Sequence, residues 1–203
     1  MNISSQVSKN DDVLRIHIVP EDLVLNAAQW NIASGNEILI GDDFWTFNNF
    51  ELSRNNQLMK VSNEVAGIQK EHIGLEFENF RLAALLSYLN PEEVLASGRL
   101  NGNFIVEEPF GSTGMLANLK INEFAVMEVP LGVLTLEGES VGSSTYDFAL
   151  AIKEGDVDLD LTGNYVANKS AADLNLDLDV NLNLLTNDNT FGIIIIIHNT
   201  FIL

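Results

Sequence analysis

The chain has 203 residues and 46% apolar content, and its 29 Asp and Glu outnumber its 10 Lys and Arg to give a formal charge of −19. This length and apolar content suit one domain or two small ones with a real core, so a disordered chain is excluded. The few cations are thinly spread, which argues against nucleic acid as a partner and disfavours an anionic membrane surface.

The N-terminal residues MNISSQVSKNDDVLR are polar and show no charged region followed by an apolar one, so they do not read as an export signal. No apolar run reaches the roughly 18 residues of a membrane span. If the parent protein is exported, we therefore expect this chain to be a piece of it.

Short strand-like runs recur from residue 13 to residue 81, separated by Asn, Asp, Gly and Ser. The pairs Gly-Asn at 35–36, Asp-Asp at 42–43 and Asn-Asn at 55–56 suit tight hairpin turns. We expect residues 1–76 to form a β-meander that belongs to the same sheet as the rest of the chain.

Residues 77–97 contain the one helical pattern. Four leucines recur there at helical spacing, namely Leu82, Leu85, Leu86 and Leu89. Pro91 interrupts the pattern before a second short turn. We predict a short amphipathic helix near 80–96 that caps one end of the sheet.

Residues 98–186 alternate between apolar and polar residues over long stretches, as strands with one apolar face do. The longest stretch, 174–184, would extend about 35 Å, whereas a typical strand has only about 5 to 6 residues. LNGNFI at 100–105 and LTGNYV at 161–166 share a pattern that weakly indicates a repeating β-element. Two interpretations of the apolar face stay open, a side of a filled sandwich core or the wall of a groove.

Residues 187–203 form an atypical tail that contains five consecutive isoleucines, 193–197. This run is too short to span a membrane. Three interpretations stay open: a final β-strand, an aggregation-prone edge, or a tail foreign to the protein.

No pattern in the chain predicts catalysis. Cysteine is absent, which excludes disulfides, thiolate metal sites and a cysteine nucleophile. His17, His72 and His198 lie far apart without metal-binding spacing, and a lone histidine is usually structural. No nucleophile elbow, phosphate loop or dinucleotide fingerprint occurs, so we expect neither an enzyme nor a cofactor.

Asp156, Asp158 and Asp160 resemble the first ligands of a calcium loop. The position that requires Gly holds Leu161, and the position that requires a bidentate Glu holds Ala167. We therefore interpret these aspartates as the solvated face of a strand and expect no metal site.

Three segments follow one another in a recognisable order. FENFRLAALLSYLNPEEVLASGRLNGNF passes from helix into a Leu-x-Gly strand, GMLANLKINEFAVMEVPLGVLTLEGES carries a Pro-Leu-Gly step, and alternating Leu/Asp/Asn strands follow. In this order, residues 77 to about 185 resemble the TamB-like translocation and assembly module family of double-membraned bacteria, relatives of AsmA-like and bridge-like lipid transfer proteins. The chain departs from the family in having no N-terminal anchor, in being too short to bridge two membranes, and in its isoleucine-rich end.

The resemblance implies an all-β fold, a long curled antiparallel sheet shaped like a taco or gutter, with an apolar interior that holds phospholipid acyl chains. It places the protein in the periplasm, with the parent anchored in the inner membrane and reaching an outer-membrane barrel of the BamA type. The implied function is phospholipid transport and outer-membrane protein assembly, and thus outer-membrane biogenesis and protein secretion. The residues expected to line the groove are Met115, Ala117, Leu119, Ile121, Val157, Leu159, Leu161, Leu174, Leu176, Leu178, Val180, Leu182 and Leu184.

A different class of protein fits the same alternation. In a structural or adhesive β-domain, a sandwich or solenoid, the apolar face would be filled by side chains of the chain itself. An open apolar trough wider than a side chain would favour the groove, and its absence would favour the filled core.

Overall fold

The computed structural model describes residues 2–25, 27–86, 95–142, 144–167, 172–186 and 189–202, and from residue 167 onward it describes the main chain only. Within these ranges the chain is all-β with one short helix, and its strands pair antiparallel, which confirms the predicted fold class. The curl of the sheet stays a prediction.

The first eight strands are β1 (Ser5–Asn10), β2 (Val13–Ile18), β3 (Val24–Leu25), β4 (Ala28–Gln29), β5 (Glu37–Ile40), β6 (Trp45–Asn48), β7 (Glu51–Arg54) and β8 (Gln57–Ser62). They are followed by β9 (His72–Arg81), helix α1 (Leu82–Leu86), β10 (Ala96–Glu107), β11 (Gly114–Val126), β12 (Val129–Val141), β13 (Thr145–Lys153), β14 (Val157–Ala167), β15 (Ala172–Thr186) and β16 (Asn189–Ile202). A 3-10 turn, Pro20–Asp22, lies between β2 and β3.

The described strands form three sheets. The large sheet is a ten-stranded meander in which β7 to β16 lie side by side in chain order. A four-stranded sheet has the order β1-β2-β5-β6, and β3 pairs with β4 alone. The expectation that residues 1–76 join the large sheet therefore holds only for β7, β8 and β9. Pro20 contributes to the separation because it lacks an N–H to continue a ladder and begins the 3-10 turn after β2.

The helix lies within the predicted segment, and the two ends of that segment belong to strands. The described helix α1 covers only Leu82–Leu86, while residues 77–81 belong to β9 and residues 96–97 belong to β10. Asn79 has a left-handed backbone, with φ of 47°, and interrupts the alternation of β9. Because of that interruption, the apolar residues in β9 take a spacing that a helix would also produce. Leu89 and Pro91 lie outside the described residues.

The predicted turns occur close to their expected places. Bends at 42–43 join β5 to β6, and a turn at 55–56 joins β7 to β8. The third turn lies one residue earlier than expected, at 34–35, where the Asn36 N–H donates to the Ala33 carbonyl at 3.0 Å. The tail forms β16 over Asn189–Ile202, which pairs with β15 along its length and gives the sheet its last strand.

The core lies at one end of the large sheet. Leu23 and Trp30, from the segment that contains β3 and β4, are 2% and 3% exposed. The Trp30 ring lies 5.4 Å from the ring of Phe80 in β9. Further buried residues of the same cluster are Ile32, Leu52, Leu100, Ile121, Phe124 and Ile152. The N-terminal segment thus covers the apolar face of the large sheet where β9 and β11 end and β10 begins.

Irregularities of register lie at the same end of the sheet. The register of pairing shifts once between β9 and β10. It shifts once between β10 and β11, at Ser97/Arg99. Between β11 and β12 it shifts twice, at Ile121/Phe124 and at Phe124/Ala125. Glycines in the left-handed region occur here too, at Gly102 in β10 and Gly132 in β12. Bulges of this kind increase twist and bend strands. From β12 to β16, by contrast, every ladder is unbroken.

Candidate functional site

The register of the large sheet aligns apolar residues into rows that run across the strands. Cross-strand partners lie on the same face of a sheet, so a series of partners traces one row. One row runs through Leu119, Leu136, Leu150, Leu161, Leu178 and Ile197. The neighbouring row runs through Ile121, Leu134, Ile152, Leu159, Val180 and Ile195. At a strand spacing of about 4.8 Å, each row is about 24 Å wide.

Every residue predicted to line a groove occupies this face by register and alternation, and we call it the apolar face. Those in β11 are Met115, Ala117, Leu119 and Ile121, and those in β14 are Val157, Leu159 and Leu161. Those in β15 are Leu174, Leu176, Leu178, Val180, Leu182 and Leu184. The structure thus brings the whole predicted set together, and its role in holding lipid stays a prediction.

The described side chains of this set differ in depth. Ile121 is 8% exposed and belongs to the core cluster, so it is packed against side chains of the chain itself. Leu119 and Leu159 are half-buried and pack against that cluster. Met115 and Leu161 are half-buried and lie outside it. The apolar face therefore passes from a filled end to an end where described side chains keep part of their surface open.

Sequence reasoning missed the part of the apolar face that β12 and β13 contribute. Leu134 and Leu136 in β12 alternate with Thr135 and Glu137, a signal that could have been found. In β13 the signal is weaker because Phe148, Leu150 and Ile152 alternate with alanines, which makes the strand apolar on both sides. Only the hairpin register assigns these three residues to a face.

The other face of the large sheet is mainly polar. One of its rows runs through Asn101, Lys120, Thr135, Ala151, Asp160 and Asp179. Asp158 and Asp160 belong to strand β14, and the Lys153 Nζ lies 2.6 Å from an Asp160 carboxylate oxygen. These two aspartates thus lie on a strand, as predicted, and Asp156 directly precedes that strand. Within the described residues, no group of three or more acidic or histidine side chains is placed to hold a metal ion.

Two of the predicted lone histidines bind the main chain. His72 is 4% exposed, and its Nε2 accepts a hydrogen bond of 2.8 Å from the Val65 N–H. Its Nδ1 therefore carries the proton and donates to the Lys70 carbonyl at 2.7 Å. His17 donates from Nδ1 to the Asn36 carbonyl at 2.8 Å. These ring nitrogens hold loops in place, and the side chain of His198 lies outside the described residues.

Two cavities are lined mainly by residues outside the apolar face. One of about 880 Å³ opens between the four-stranded sheet and β8, and Arg15 in its wall pairs with Glu37 at 3.0 Å. The fully buried Asn36 in the same wall is bonded on both sides of its amide to Ile18 of β2. The other cavity, about 540 Å³, lies on the polar face beneath the loop that contains Val65. Arg15 and Asn36, in the wall of the first cavity, are thus already bonded to other groups of the protein.

Comparison of the chain with protein-family models, with curated proteins and with solved structures gives no match. Within the part of the chain that the structure describes, no helix has the length and apolarity needed to cross a membrane. The apolar face remains the feature of the molecule from which a function can be argued.

Proposed function

We propose that the chain is a segment of a TamB-like protein that holds lipid acyl chains against its apolar face. In this proposal the protein acts in the periplasm, in phospholipid transport and outer-membrane protein assembly. Its parent is anchored in the inner membrane and works with an outer-membrane barrel of the BamA type. The observation that carries the proposal is the pair of wholly apolar rows that cross six strands without a polar residue.

The chemistry of these rows suits an acyl chain. A lipid tail offers no hydrogen bond and no fixed shape, so a surface that binds it needs apolar area and no specific polar contact. Burial contributes about 0.8 kcal/mol per CH₂, so ten covered methylene groups gain roughly 8 kcal/mol before the cost of ordering the lipid. The plain Leu, Ile and Val residues of the rows provide such a surface.

A filled β-domain is the second candidate, and the covered end of the sheet favours it. There, Trp30 and Leu23 fill the space over the apolar face with the chain's own side chains. If a similar layer covers the rows from β12 to β16, the protein is a structural or adhesive domain without a ligand. The half-buried state of Leu136 and Leu161 supports the lipid proposal over this one.

The deciding experiment is native mass spectrometry with lipid extraction on protein purified from a bacterial host. We expect phospholipid to co-purify with the chain and to be lost in Leu161→Asp, since a carboxylate in the row removes apolar contact and is costly to bury. Thr162→Asp is the matched control, because Thr162 is exposed on the polar face one residue away. Leu178→Asp, in register with Leu161, should behave like Leu161→Asp.

Circular dichroism should show an unchanged β signal in these variants, which separates lost binding from lost folding. A lipid-free, stable protein, or equal lipid retention in Leu161→Asp and Thr162→Asp, would contradict the proposal and return the face to the interior of a filled domain.

A further inference from the structure

The apolar face has a polar border at the end opposite its covered end. Ser140 of β12, Tyr146 of β13 and Tyr165 of β14 are successive cross-strand partners, so they form one row, which we call the hydroxyl row. Between this row and the row of Ile121, every residue that β11 to β14 contribute to the apolar face lacks a polar side-chain group. The hydroxyl row therefore marks a change from a purely apolar surface to one that carries O–H groups.

The two tyrosines of this row present ring and hydroxyl together. Their ring centroids lie 6.1 Å apart, and Tyr165 is 36% exposed while Tyr146 is half-buried. The Ser140 Oγ already accepts a hydrogen bond of 2.6 Å from the Met115 N–H. Among the described residues, neither tyrosine hydroxyl has a hydrogen-bond partner. Because tyrosine has an apolar ring and a polar tip, it suits a place where an apolar region meets water.

The apolar face between the hydroxyl row and the core cluster has about the length of an acyl chain. Along β14, Leu161 and Leu159 precede Tyr165 by four and six residues, or about 13 and 20 Å at a rise of about 3.3 Å per residue. Leu159 packs against the core cluster, whereas Leu161 lies outside it. An acyl chain in one leaflet spans about half of the roughly 30 Å hydrocarbon core of a bilayer, which is about 15 Å. Such a chain therefore fits along the strands between the tyrosines and the filled end.

On the basis of the proposed function, we propose that the phospholipid lies along the strands with its ester and headgroup at Tyr146 and Tyr165. The methyl end of its acyl chain then points toward Ile152 and Leu159. The covered end is filled by side chains such as Trp30, so a headgroup there would bury polar groups without partners. At the hydroxyl row, a tyrosine O–H can donate to an ester or phosphate oxygen while the rest of the headgroup reaches water. The two tyrosines thereby select a lipid with a polar end over a plain hydrocarbon.

Photolabelling of the unchanged chain tests this orientation directly. The probes are two phosphatidylcholines, one with a diazirine on the acyl chain next to the ester and one with the diazirine at the methyl end. Irradiation, digestion and mass spectrometry then assign each label to a residue. We expect the first probe to label Tyr146 and Tyr165 at least about fivefold more than Ile152 and Leu159, and the second probe to show the opposite preference.

A second measurement tests the hydroxyl groups themselves. Tyr146→Phe combined with Tyr165→Phe removes both hydroxyls and keeps both rings. We expect retention of phosphatidylcholine to fall at least about fivefold, while retention of hexadecane, which has no polar end, stays unchanged. Thr162→Val is the matched control, because it removes an exposed hydroxyl from the polar face of β14 and should change neither retention.

The possible results separate the orientation of the lipid from lipid binding as such. Label on the apolar face with no difference between the probes, or with their preferences exchanged, would overturn the orientation and leave lipid binding intact. No label on the apolar face from either probe would contradict lipid binding itself. Unchanged retention of phosphatidylcholine in the double phenylalanine variant, or an equal loss of phosphatidylcholine and hexadecane, would overturn the role of the hydroxyls. If that variant loses its β signal in circular dichroism, photolabelling of the unchanged chain still decides.

Discussion

The two halves of the large sheet differ in the regularity of their strand pairing and in how far their apolar face is covered. From β9 to β12 the ladders are interrupted by bulges, and the apolar face is covered by the segment that carries Leu23 and Trp30. From β12 to β16 the ladders are unbroken, and most described side chains of the apolar face are half-buried, although Ile152 of β13 is 8% exposed and belongs to the core cluster. A bulge interrupts regular pairing and bends its strand, which lets a sheet curve around a filled core. An unbroken register instead keeps rows of residues aligned across many strands.

The residue types follow the same division. The covered half uses large aromatic residues of specific shape, among them Trp30, Phe80 and Phe124. The regular half uses Leu, Ile and Val almost throughout its two central rows. A close-packed core depends on complementary shapes, whereas a surface for a flexible apolar ligand does not. The difference predicts that single substitutions in the two halves have unequal effects on stability.

The largest effect is expected from Trp30→Ala in the covered half. Removing a buried aromatic side chain leaves a cavity and lowers the free energy of unfolding by about 3 to 5 kcal/mol. Leu136→Ala in the regular half should cost only about 1 kcal/mol, since its side chain is half-buried already. Urea unfolding followed by circular dichroism measures both. A cost for Leu136→Ala equal to that for Trp30→Ala would remove the distinction between the halves.

The bulges themselves are tested by Gly102→Ala. Gly102 has φ of 110°, and a Cβ placed there overlaps the Asn118 carbonyl oxygen. We expect a loss of about 3 kcal/mol, from backbone strain and from displacement of the neighbouring strand. Gly138→Ala in the regular half is the control, because a Cβ there meets its nearest atoms at 3.6 Å. That variant should change the free energy of unfolding by less than about 0.5 kcal/mol, and equal losses in the two variants would contradict the expected strain at Gly102.

A smaller effect is expected where the four-stranded sheet joins the large one. The Asn63 side chain accepts from the Phe47 N–H at 2.9 Å and donates to the carbonyls of Trp45 and His72 at 2.8 and 3.2 Å. Asn63→Ala leaves these main-chain groups without that partner and should cost about 1 to 2 kcal/mol. Asn48→Ala, which loses one exposed hydrogen bond to Glu37, should cost less than about 0.5 kcal/mol. Similar losses in the two variants would mean that Asn63 does not hold the sheets together.

The strands were predictable from the sequence because alternation of period two reports which residues share a face. What covers that face was not predictable, since the run around Trp30 reads locally as another strand-like segment. The separation of β1, β2, β5 and β6 into their own sheet depends on pairing between distant residues. The bulge at Asn79 was also hidden, because an irregular strand and a short helix give similar apolar spacings over a few residues.

The candidate site was predictable in part for the same reason. Alternation in β11, β14 and β15 placed their apolar residues on one face, and the register aligns those residues in common rows. Alternation could not distinguish Ile121, which is packed in the core, from Leu161, which lies outside the core cluster. Sequence alternation identifies the apolar side of a strand, and only tertiary packing determines whether that side is filled.

The smallest expected effect concerns the loop over the polar face. Lys70 Nζ lies 2.8 Å from a Glu107 carboxylate oxygen of β10, and this hydrogen bond and the charge of Glu107 raise the pKa of Lys70. Because the folded-state pKa is raised, the stabilisation is fully present below the unfolded-state pKa of about 10.4 and is lost as pH rises through the folded value. Lys70→Gln should therefore lower the urea midpoint slightly at pH 9, and its difference from the unchanged chain should disappear as pH rises through the folded-state pKa of Lys70. The pair is exposed, so added salt should shrink the difference at pH 9. A difference that does not decline with rising pH would show that the Lys70 side chain stabilises the loop through contacts of its methylene groups, independently of its charge.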